Sequence, residues 1–236
     1  MRPVVAPFPG VLGFKTQTFW IWGDNGYKCL GTHLNDDTPG TNNNRADMDF
    51  MLAPNLRPGD TVRAGQLIGY VGDSGVASGS HLHFELFAAG NELFSPFPSL
   101  KAAEHITAPR PVLSDPTIRP PAGQARIDGC VRGWDPTHRV LTLLLVARQT
   151  ASGRAFAYTT PTRCRLTLPP DVVATAGGDE TLRAFPRDRA VTLFVAEPPP
   201  GKGKSGVSGP ANAGGTAFRL VLPIIPPTAE GERVKP

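Results

Sequence analysis

The segment His81-Leu82-His83-Phe84-Glu85-Leu86 alternates without a break. That pattern has a period of two, which a helix cannot satisfy and an extended strand can. One face of the strand carries His81, His83 and Glu85, and the other carries Leu82, Phe84 and Leu86. Histidines at i and i+2 point the same way with Cβ atoms about 7 Å apart, so both can reach a shared point above a sheet. Just before it runs Gly72-Asp-Ser-Gly-Val-Ala-Ser-Gly79, whose glycines take backbone angles closed to other residues and let N–H groups approach a ligand. Read alone, His-x-His is as compatible with a solvated strand face as with a metal site.

The remainder of the chain also reads as strands and turns. Glycine and proline number 26 each in 236 residues, which favours short strands over long helices. Gln17–Trp22 is rich in β-formers, Gly23-Asp24-Asn25-Gly26 is a turn, and Tyr27–Leu30 is the second arm of a hairpin that leads to His33. Residues 36–49 are polar and without period, a surface loop whose acids Asp36, Asp37, Asp47 and Asp49 could take a cation. Turns at Pro58-Gly59-Asp60 and Gly65-Gln66 precede a strand over Leu67–Val71.

Prolines at 109, 111, 116, 120 and 121 make residues 101–123 a semi-rigid linker between a first domain, 1–100, and a second, 124–225, with a tail over 226–236. The second domain has candidate strands at Cys130–Arg132, Val140–Val146, Phe156–Tyr158, Arg163–Leu168, Val191–Val195 and Phe218–Leu222. That set suggests a small barrel resembling the oligonucleotide/oligosaccharide-binding fold, with a flexible loop over 198–215. The fold class expected for the whole chain is all-β.

Three cysteines, Cys29, Cys130 and Cys164, are too few for a disulfide framework and lack zinc-site spacing. No apolar run approaches the length of a membrane span. Prolines interrupt the N-terminus, which has no secretory h-region. Residues 1–100 hold 6 Lys+Arg against 9 Asp+Glu, a net −3, whereas the remainder holds 18 against 11, a net +7. A basic second half suits an anionic partner such as a cell-wall polymer, a membrane surface or a nucleic acid, or serves solubility alone.

Several linked motifs then fall in register. Gly31-Thr32-His33-Leu34 is followed by Gly59-Asp60-Thr61-Val62-Arg63-Ala64-Gly65-Gln66-Leu67-Ile68-Gly69, by Gly72-Asp73-Ser74-Gly75, and by His81-Leu82-His83-Phe84-Glu85. This order resembles the catalytic domain of the lysostaphin-type (LytM-like) zinc endopeptidases that cut peptidoglycan cross-links, over roughly residues 10–98. Biotinyl and lipoyl carrier domains share the Gly-Asp-x-Val part and a similar hybrid barrel. Between residues 64 and 100 there is no lysine to carry the group, which sets a carrier aside.

The resemblance implies an antiparallel sheet built on a duplicated hybrid motif, an extracytoplasmic location, Zn2+ as cofactor and a peptidoglycan peptide as substrate. It makes His83 the metal ligand and places His33 and His81 beside the water that the metal activates, while Glu85, one strand step beyond His83, could orient that ligand or be a plain surface acid. The family also uses an upstream His-x-x-x-Asp pair. No histidine precedes His33, and His105 and His138 come too late. The sheet is therefore expected to be incomplete at its N-terminal side, with Phe19, Trp20 and Trp22 on an unpaired edge, and the chain as written to hold zinc poorly and lack activity. Two readings stand: a zinc peptidase, or a non-catalytic module that binds wall or regulates another hydrolase.

Overall fold

The computed structural model describes residues 2–34, 51–106, 108–187, 189–196 and 215–221. The first part is a six-stranded sheet and a two-stranded sheet around one core. Strands β1 (Pro3–Val5), β2 (Gly10–Lys15), β3 (Thr18–Gly23), β4 (Lys28–Thr32), β5 (Thr61–Val62), β6 (Leu67–Tyr70), β7 (His83–Phe87) and β8 (Leu93–Phe94) follow in chain order. The larger sheet has the order β5-β2-β3-β4-β7-β8 and is antiparallel throughout, while β1 pairs with β6. Gly26, at φ +81°, closes the β3–β4 hairpin, with Gly23 N–H donating to the Tyr27 carbonyl.

Alternation sends Leu12, Phe19, Ile21, Cys29 and Leu86 to one face, where they bury with Val4, Leu34, Met51, Ile68 and Tyr70. Closeness is bought with glycine at two points. A Cβ on Gly31 would fall 2.3 Å from the Phe19 ring, and one on Gly69 would fall 1.9 Å from the Met51 carbonyl oxygen.

The expected unpaired edge at Gln17–Trp22 is not found. Strand β3 lies inside the sheet, with β2 on one side and β4 on the other, and Phe19 is fully buried. Strand β2 supplies the missing neighbour. Its glycines at 10 and 13 dilute the alternating pattern that would have marked it, and both are needed, since a Cβ at either would strike Trp22.

The second part contains β9 (Gln124–Asp135), β10 (Val140–Gln149), β11 (Ala155–Ala157), β12 (Arg163–Thr167), β13 (Ala190–Ala196) and β14 (Gly215–Val221). Pairings run β9-β10-β12-β14-β13 and return to β9, with β12 and β14 parallel. Among the described residues two pairs, Leu166 with Gly215 and Thr167 with Thr216, join β12 to β14. Three short helices among the described residues accompany the strands: α1 (Phe97–Ala102), α2 (Pro170–Thr175) and α3 (Gly178–Ala184). The last two close one end of the core through Val172, Val173 and Leu182. Two prolines ahead of Asp171 and a Gly-Gly pair break that stretch into turns too brief for a helical period to show.

The proline-rich segment is no free spacer. Arg110 N–H donates to the Gly65 carbonyl, and Arg126 holds the carbonyls of Asp115 and Ile118 through Nη1. Arg126 and Asp128 are both fully buried, joined by two hydrogen bonds of 2.8 Å. Ser114 N–H and Thr192 Oγ1–H donate to the Asp128 carboxylate, so the pair is charge-matched and fully hydrogen-bonded. The Cys130 thiol donates to the Pro54 carbonyl at 3.1 Å, which links the two parts of the chain directly. The loop over 36–49, residues 198–214 of the second loop, and the tail lie outside the described residues.

Candidate active site

Strands β4 and β7 are neighbours, with Thr32 opposite His83. Strict alternation along β4 would send the next residue, His33, to the core face with Cys29 and Gly31. Instead His33 has φ +66°, a left-handed backbone rare outside glycine. The reversal ends the strand and brings its ring to 4.8 Å from that of His81 and 6.4 Å from that of His83, centroid to centroid. Strain at one residue is thus spent on gathering three imidazoles.

The glycine-serine loop holds them. Gly72 N–H donates to the His33 carbonyl and His81 N–H to the Gly72 carbonyl, so the loop begins and ends between these two histidines. Ser74, 1% exposed, donates its hydroxyl to the Leu34 carbonyl and offers its own carbonyl to His33 Nδ1 at 2.8 Å. His81 Nδ1 donates to the Gly79 carbonyl, also at 2.8 Å. A carbonyl oxygen only accepts, so in the neutral rings of His33 and His81 the proton sits on Nδ1 and Nε2 keeps its lone pair. His83 is the reverse: Nε2 faces Glu85 Oε1 at 2.8 Å, the carboxylate accepts, and Nδ1 is the open nitrogen. Two histidines present Nε2 as a base, and the third presents Nδ1 with a carboxylate behind it, the arrangement that suits a metal ligand.

All three expected histidines, with Glu85, are brought together. His138 is not among them and pairs with Asp135 at 2.7 Å in the β9–β10 turn. Ser74 belongs to the Gly-x-Ser-Gly motif, but its part in holding His33 was not foreseen, because it acts through a main-chain carbonyl, which no residue type announces. Among the described residues no three of His, Cys, Asp and Glu stand where they could hold one metal ion. The described residues therefore do not make up the three-donor set of a catalytic zinc. Asp36, Asp37, Asp47 and Asp49 lie outside them.

Residues 2–95 match the profile of peptidase family M23. Among solved structures, the catalytic domain of the antimicrobial peptidase lysostaphin from Staphylococcus simulans is 24% identical over 42% of this chain and 71% of its own, with a TM-score of 0.31. A mutant catalytic domain of the prophage-encoded M23 protein EnpA from Enterococcus faecalis is 22% identical over 41% and 68%, with a TM-score of 0.30. The M23 metalloprotease pseudoalterin, from the deep sea, is 22% identical over 39% and 49%, with a TM-score of 0.27. No curated protein sequence matches.

Proposed function

We propose that this chain, which carries over residues 2–95 a domain of peptidase family M23, is a zinc endopeptidase of the peptidoglycan-hydrolase kind acting on wall peptide cross-links. The observation that carries the reading is the split in tautomers across one cluster. His33 and His81 commit Nδ1 to the Ser74 and Gly79 carbonyls and keep Nε2 as the basic nitrogen, whereas His83 commits Nε2 to Glu85 and keeps Nδ1. Zinc at such a site would polarise the scissile carbonyl and lower the pKa of water; His83 is the one donor assigned to it. His33 Nε2 takes a proton from the attacking water and delivers it to the amide nitrogen as the C–N bond breaks, and His81 Nε2, protonated from solvent, donates a hydrogen bond to the oxygen that gains charge as the amide turns tetrahedral. The basic second half serves as the anchor to an anionic wall polymer, which keeps the peptidase at an extracytoplasmic surface.

The donor set among the described residues also favours a second reading, a non-catalytic module that binds wall. One experiment separates them. The purified chain is titrated with zinc by calorimetry and then incubated with peptidoglycan, with and without chelator. One-to-one zinc binding with chelator-sensitive release of free amino groups supports the peptidase. Sedimentation with peptidoglycan, with no amino groups released at any zinc concentration, supports the module.

A further inference from the structure

An antiparallel sheet with its core on one face ordinarily shows polar side chains to water on the other. Here the register puts Val11 and Gly13 of β2, Trp20 and Trp22 of β3, Leu30 of β4, and His83 and Glu85 of β7 on the same face, opposite Leu12, Phe19, Ile21 and Cys29. Trp22 is 50% exposed and Val11 42% exposed. The indole is nonetheless held in place. A Cβ on Gly13 would lie 2.4 and 2.6 Å from Cζ3 and Cη2 of Trp22, so the six-membered ring rests on glycine backbone. By strand spacing alone, Trp20 lies about 12 Å and Trp22 about 16 Å from His83 across the sheet.

The surroundings decide what this face accepts. Strands β3 and β4 are paired on both sides, and β5 covers β2 at Gly10 and Val11, so among the described residues no free edge is offered to an extended peptide beside Trp22. Val11, Gly13, Trp20, Trp22 and Leu30 carry no charge and no side-chain hydrogen-bond acceptor, and Lys28, opposite Trp22 on the same face, has its ammonium engaged over the Phe87 ring and donating to Asn91 Oδ1. A peptide laid across them would press main-chain amides against apolar surface without partners, which is costly. A pyranose ring has an apolar C–H face and can direct its hydroxyls to water, so it suits an exposed, fixed indole.

We infer that Trp22 and Trp20 form a stacking platform for the sugar rings of a glycan built from N-acetylhexosamine units, leading to the histidine cluster. The naming of that glycan rests on the wall-hydrolase reading; the stacking rests on the sheet face.

The test adds a soluble tetramer of β-1,4-linked N-acetylglucosamine to the full chain, followed by calorimetry and by the indole N–H resonances. Saturable binding that shifts the Trp20 and Trp22 signals and leaves Trp134, in the second part of the chain, unmoved is expected. Trp22→Ala should weaken binding by roughly tenfold or more. Gly13→Ala, which evicts the ring without removing it, should act in the same direction. Tetramer binding should be the same with and without chelator, so failure of the zinc reading would leave this result standing. No saturable binding by the parent chain, shifts confined to Trp134, or a folded Trp22→Ala chain that binds equally well would each overturn the inference.

Discussion

His33 shows most plainly how one residue serves the site against the fold. Its φ of +66° is one that glycine adopts freely and alanine does not. His33→Gly should therefore be more stable than His33→Ala by about 1 kcal/mol in urea unfolding, although both lose the hydrogen bond to Ser74. Gly69 makes the opposite demand, because any Cβ there meets the Met51 carbonyl and backbone cannot swing aside. Gly69→Ala should cost about 2–4 kcal/mol by the same measurement. Burial pushes the Cys29 thiol from 9.0 up to about 12. The folded chain then holds its proton between those two values while the unfolded chain loses it, so folding binds protons and stability falls as pH rises above about 9. Tyr70, raised by burial in the same direction, adds to that fall. Urea midpoints measured from pH 7 to pH 11 should decline, and a flat profile would contradict the burial of these groups.

At the scale of elements, strand β7 was legible because its alternation is complete, and the β3–β4 hairpin because a strong turn, Asn25-Gly26, separates two runs of β-formers. Strand β2 was not. Gly10 and Gly13 break its pattern, and their reason lies on the neighbouring strand, the Trp22 carbonyl for Gly10 and the Trp22 ring for Gly13, contacts no single-strand pattern contains. The two helices beside the second core were missed because each is under two turns. The histidines themselves were legible through motif order, yet their tautomers were not, since these depend on the carbonyls of Ser74 and Gly79 and on the Glu85 carboxylate. The assignment has its own check. Long-range proton–nitrogen correlation at neutral pH should show Nδ1–H for His33 and His81 and Nε2–H for His83.

Across the whole molecule, the proline-rich segment is fastened by a buried ion pair rather than by apolar packing alone. Arg126→Met would leave the Asp128 carboxylate buried without its counter-charge, and a loss of about 3–5 kcal/mol is expected in chemical unfolding. Changing Arg126 and Asp128 together to Met and Leu should lose much less, because the stranded charge goes with its partner. The proposed division of labour among the histidines has a more direct test, metal content read beside peptide cleavage. His83→Ala should lose zinc and cleavage together, whereas His33→Ala and His81→Ala should keep zinc and lose cleavage. Zinc retained in His83→Ala and lost in His81→Ala would contradict the account.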